Sequence, residues 1–134
     1  MATIENVKLK ISESGPGTGR SIIEYSYDLH PDARDRAERR EFSVSVGLWG
    51  EDLLDDDVLA TQMDKHTVKV RGIDPDETIR LERRFEVETK LLNEDLCGDD
   101  EVFLIVEALC GAQRSSGKSN TVIGNFKVRK PGAG

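Results

Sequence analysis

The chain has 134 residues, of which 26 are acidic and 19 basic, giving a formal charge of −7 at neutral pH. That length suits a single domain, and an apolar share of 37 % with 12 glycines has the balance of a folded core rather than a disordered chain. The acidic balance argues against a general nucleic-acid binder, which needs positive charge to displace phosphate counterions; no stretch approaches the ~18 apolar residues of a membrane span.

The N-terminus lacks a basic start followed by an apolar run, so it does not read as a secretory signal. Val7, Leu9 and Ile11 then recur at every second position, the mark of a half-buried strand. A Gly15-Pro16-Gly17 turn leads to a second strand with Ile23, Tyr25, Tyr27 and Leu29 on one face. After His30-Pro31-Asp32, the segment from Pro31 to Glu41 predicts a short helix, since Asp32 precedes Arg36, and Asp35 precedes Arg39, at ion-pair spacing. Phe42, Val44, Val46 and Leu48 mark a third strand. Asp52 to Met63, with Leu54, Val58 and Leu59, reads as a weak amphipathic turn or two, and a short fourth strand is built on Val68 and Val70. Beyond Asp74-Pro75-Asp76, a fifth strand carries Ile79, Leu81, Phe85 and Val87, with Arg83 breaking its inward set. The sixth, Val102 to Leu109, is apolar on both faces and therefore central. A polar turn over Ser115-Ser116-Gly117-Lys118 precedes the last strand, on Val122, Gly124, Phe126 and Val128.

Short alternating strands separated by Gly, Pro and Asx turns predict an all-β fold: an antiparallel β-sandwich of about seven strands, immunoglobulin-like in size, with a small β-barrel or jelly roll as alternatives. The likeness is of architecture only, because Trp49 precedes both cysteines and the immunoglobulin Cys…Trp…Cys order is absent. The domain is expected to span 1–129, with a loose tail over 130–134.

Cys97 and Cys110 flank the sixth strand. At ~3.3 Å per residue they stand too far apart to pair, given the ~7 Å limit between disulfide Cα atoms. Free thiols fit a reducing compartment, so a cytoplasmic protein is expected. Ala112 to Ser119 matches a relaxed phosphate-loop pattern, but a strand rather than a helix is predicted to follow, which argues against nucleotide binding. His30 and His66 lack a neighbouring nucleophile motif, and neither cysteine has a C-x-x-C partner, so no enzyme is expected.

If each strand crosses the domain once, alternate loops share a pole. Glu51, Asp52, Asp55, Asp56 and Asp57 then join Glu94, Asp95, Asp99, Asp100 and Glu101 at one end. Clustered carboxylates suit Ca²⁺, which takes ~6–8 oxygen ligands, with Asp56, Asp57, Asp99 and Asp100 as candidate ligands; no other cofactor is suggested. The doubly apolar sixth strand points to protein contact or self-association. A sandwich buries one face of each sheet, so the row Phe103, Ile105 and Leu109, or its opposite, Val102, Leu104 and Val106, needs a cover. The segment Asp52 to Met63 is one candidate cover and a partner is the other. Trp49 at the end of the third strand is either an aromatic anchor for that partner or a plug for the open end of the core.

Overall fold

The computed structural model describes residues 2–15, 17–50, 57–92 and 100–124, with the backbone alone at 57–62 and 100. In chain order the elements are β1 (Thr3–Glu13), β2 (Arg20–His30), α1 (Ala33–Glu38), β3 (Glu41–Gly50), β4 (Asp57–Lys69), β5 (Ile79–Glu88), a 3-10 turn (Thr89–Leu92), β6 (Asp100–Cys110), β7 (Gln113–Lys118) and β8 (Val122–Gly124). They form an all-β sandwich of two antiparallel sheets, not a closed barrel. Sheet A has the order β1-β2-β5, and sheet B the order β4-β3-β6-β7, with β8 also pairing with β6.

The alternation in the sequence becomes the core directly. Ile23, Tyr25, Tyr27 and Leu29 of β2 face Phe42, Val44, Val46 and Leu48 of β3 and Val102, Leu104, Val106 and Ala108 of β6. Each fully buried large apolar side chain contributes roughly 1.5–3 kcal/mol. The sandwich is stitched along the β1 and β7 side. Asn120 accepts from Leu9 N at 2.8 Å and donates back to Leu9 O at 3.1 Å, and Ser115 Oγ donates to Ala2 O.

Helix α1 forms where expected but with different partners. Asp32 caps it, accepting from Asp35 N at 2.7 Å, while the Asp35 carboxylate accepts from Asp32 N at 3.0 Å, a reciprocal capping box. Arg39 adopts a left-handed conformation (φ 50°) and ends the helix after two turns at most. The predicted Asp35–Arg39 pair is therefore replaced by Asp35–Arg40 at 3.1 Å, and Arg34–Glu38 at 3.2 Å supplies the i,i+4 pair.

Three expectations are corrected. Residues 57–69 form one long strand rather than a helical turn followed by a short strand, so from Asp57 onward the segment considered as a cover for sheet B is part of that sheet. Gln113–Lys118 is a strand, not a turn; the chain reverses instead at Gly111, in the left-handed region at φ 60°. β7 is therefore an additional strand ahead of the expected last one, whose described part is β8; both are laid against β6, which raises the count to eight among the described residues. The expected tail at 130–134 lies outside them.

Candidate functional site

The two outer faces differ in chemistry. On sheet A, Lys10 stands opposite Glu24, Glu24 opposite Arg84, and Asp28 opposite Arg80, a charged cross-strand lattice. On sheet B the outer row of β6 is Phe103, Ile105, Glu107 and Leu109, because Val102, Leu104, Val106 and Ala108 point into the core. Trp49 of β3 lies directly across from Phe103, and their rings stack with centroids 6.4 Å apart and planes 14° from parallel. The Lys118 ammonium sits 4.0 Å from the Phe103 ring centre. Phe103 is thus enclosed at 2 % exposure, while Trp49, Ile105 and Leu109 remain half-buried.

Trp49 therefore belongs to the outer face and does not plug the core. Ile105 stands opposite Gly47, which has no side chain to cover it from β3. Ile123 extends the strip: it pairs with Glu101 on β8 and is 64 % exposed. The four residues singled out from sequence, Trp49, Phe103, Ile105 and Leu109, share this face, and Ile123 is the member that sequence reasoning missed. Its signal was present, since alternation with Val122 and Gly124 inward turns Ile123 outward.

A second constellation lies between the sheets, where edge strands β4 and β5 face each other. Arg83 donates to Asp64 through Nε at 2.7 Å and through a second guanidinium nitrogen at 3.2 Å. Tyr25 Oη donates to the same carboxylate at 2.5 Å. Tyr27 Oη meets His66 Nε2 at 2.5 Å, and His66 Nδ1 lies 4.0 Å from Asp64. Burial opposes ionisation of Asp64, but hydrogen bonds from Arg83 and Tyr25, with the charge of Arg83, outweigh it and hold the carboxyl below its usual range. Burial, aided by Arg83, pushes the His66 imidazole below its ordinary value, and burial pushes both phenols up, with the Asp64 hydrogen bond adding to the effect at Tyr25. An Asp–His–Tyr set resembles a proton relay in composition. Here Tyr27 is fully buried and Asp64 is already engaged by Tyr25 and Arg83, so the groups tie one sheet to the other.

The acidic pole is only partly in view. Gly50 pairs with both Asp57 and Val102, and Asp100 pairs with Gly124. The β3–β4 and β5–β6 connections therefore meet sheet B at the same end, as the loop count predicts. Asp56 and Asp99 lie outside the described residues, and Asp57 and Asp100 are described in backbone only. Among the described residues no three His, Cys, Asp or Glu side chains converge. Cys110 ends β6, and Cys97 lies outside the described residues. In the phosphate-loop-like segment, β7 runs along β6 and no helix follows among the described residues. His30, at the end of β2, meets Thr78 through Nδ1 at 2.9 Å and Glu5 through Nε2 at 3.1 Å. No helix among the described residues is long and apolar enough to cross a membrane.

No protein-family model matches the chain, and no curated protein does. Among solved structures it is similar to the crystal structure of Spo0M, a sporulation control protein from Bacillus subtilis, at 12 % identity and a TM-score of 0.44. The match covers 90 % of this chain and 48 % of the other, so the chain spans about half the length of that structure.

Proposed function

We propose that this is a non-enzymatic, immunoglobulin-like interaction module that acts through protein contacts on the outer face of sheet B. The single observation that carries the reading is the strip Trp49, Phe103, Ile105, Leu109 and Ile123 on one face, set against the charged lattice on the other. Solvent is a good environment for the second face and a poor one for the first. A stacked tryptophan beside a partly open apolar row has the composition of an interface centre. The partner that fits is a protein presenting apolar side chains to Trp49, Ile105 and Ile123. The strand order supports the immunoglobulin-like description, with a three-stranded sheet facing a five-stranded one and β2 and β3 joined across the sandwich. The cysteine argument favours the cytoplasm as its compartment.

A displayed peptide library selected on the protein tests this reading. The expected binders are apolar peptides that perturb the Trp49 indole resonance and lose affinity for Ile105→Lys and Ile123→Lys variants of unchanged melting temperature. Binders that hold those variants as tightly as the parent chain would refute it.

A further inference from the structure

Strand β5 is a free edge. It pairs with β2 on one side over ten consecutive positions, from Arg20–Glu88 to Leu29–Ile79, with no register shift, and has no strand partner on the other side among the described residues. β1 and β4, by contrast, carry bulges at Asn6 and opposite Gly47. Natural edge strands are blunted by bulges, prolines or charge. β5 has neither of the first two, and its charges follow a particular order: Arg80, Glu82, Arg84 and Glu86 alternate in sign along the exposed face.

That order is complementary to itself when reversed. An antiparallel copy of β5 centred on Arg83 sets Arg80 against Glu86 and Glu82 against Arg84, each occurring twice by symmetry. On the inward face it sets Leu81 against Phe85 and Ile79 against Val87. The central Arg83 side chains do not oppose the pairing, because each is turned across its own sandwich and neutralised by Asp64. Shifting the register by two residues in either direction brings like charges together. Opposite charges directly across a sheet are stabilising, and like charges there are destabilising.

We propose that the chain forms a homodimer by antiparallel pairing of β5 with β5 of a second copy, joining two three-stranded sheets into one continuous sheet. This surface is separate from the outer face of sheet B and does not depend on what binds there.

The test is sedimentation velocity over a concentration series with Glu82→Arg and Arg84→Glu, each alone and mixed in equal amounts, after circular dichroism shows that both are folded. Either variant alone places like charges at both symmetry-related positions, so its self-association is expected to weaken about tenfold or more. In the mixed dimer the introduced arginine of one chain faces the introduced glutamate of the other, and the native Arg84 of the first faces the native Glu82 of the second. Both pairs are then of opposite sign, and dimer is expected to return to near the parent level. Glu82→Arg makes this acidic chain less acidic, so bulk charge alone would strengthen its association, the opposite of what the register requires. Trp49→Ala is expected to dimerise like the parent. A parent chain that stays monomeric throughout the series overturns the proposal, as do single variants that dimerise undiminished or a mixture that shows no recovery.

Discussion

Replacing Asp64 tests whether the inter-sheet constellation holds the sandwich together. In Asp64→Ala the Tyr25 hydroxyl loses its acceptor, and Arg83 loses both of its bonds. An unsatisfied buried hydroxyl costs about 1–3 kcal/mol. The ion pair adds less, since the Arg83 side chain is 39 % exposed and can turn to water; screening limits that part to roughly 0.5–1 kcal/mol. The sum is about 1.5–4 kcal/mol, or a fall in melting temperature of ~5–15 °C for a domain of this size. Calorimetry or urea unfolding measures it. The sharper test adds Tyr25→Phe. If the orphaned hydroxyl dominates, the double variant Tyr25→Phe/Asp64→Ala recovers about 1 kcal/mol relative to Asp64→Ala alone, because removing both partners of a hydrogen bond costs less than removing one. Additive losses, or an Asp64→Ala variant within about 0.5 kcal/mol of the parent, the range of an ordinary surface substitution, would refute the assignment of this cluster as an inter-sheet tie.

The same cluster sets an acid limit. His66 has a folded pKa below the ordinary ~6.5 of imidazole, so the unfolded chain takes the proton first and stability falls as pH drops through that value. Asp64, with its pKa held below the ordinary carboxylate range, adds a further loss at lower pH. The groups facing His66 are Tyr27 from β2, Asp64 from β4 and Arg83 from β5. His66→Gln is expected to flatten urea-unfolding stability between about pH 7 and 5, and a slope equal to the parent's would refute this. Gly117→Ala places a methyl 2.7 Å from Ile4 Cγ2 and 2.8 Å from Val7 Cγ2, closer than carbon atoms approach. A loss of about 1–3 kcal/mol in thermal unfolding is expected, and a neutral result would show that β1 yields. Gly72→Ala meets the Arg36 carbonyl oxygen at a φ of +75° and is expected to cost at least as much, read the same way. A double-mutant cycle on Trp49→Ala and Phe103→Leu is expected to give a coupling of ~0.5–1.5 kcal/mol for the stacked pair; zero coupling would mean that the rings do not support each other.

Most of the fold is legible in the sequence because its strands bury one face, and the period of two survives in β1, β2, β3, β5 and β6. Legibility fails where that period is broken for a reason lying elsewhere in the chain. On β4 the inward positions Asp64 and His66 continue the row of Val68 and Val70, but charged and polar residues hide the row, so the strand reads as short. β7 reads as a turn since Ser115, Ser116 and Gly117 are turn formers locally, whereas the pairing of Glu107 with Ser116 and of Val106 with Gly117 overrides that preference. The glycine is needed there because β1 packs against it. The outer row of β6 is visible in advance; that Trp49 stacks on it follows only from the β3–β6 register.

Arg83 shows how one anomaly joins these findings. An arginine in the inward row of an edge strand is by itself an obstacle to pairing, one of the ways in which sheets avoid growing. Asp64 removes the obstacle by taking the charge across the sandwich, and it can do so because β4 presents two polar residues where apolar ones would otherwise sit. Without Asp64, two Arg83 side chains would meet uncompensated at the centre of a β5 pair. The tie that closes the sandwich is thus also the condition for a second copy to dock. Asp64→Ala should therefore lose dimer as well as stability, and the two losses separate in Arg83→Met, which removes the central charge. That variant is expected to unfold at a lower temperature than the parent yet keep its dimer in sedimentation at a temperature where both are folded. A folded Arg83→Met monomer would break the link between the two.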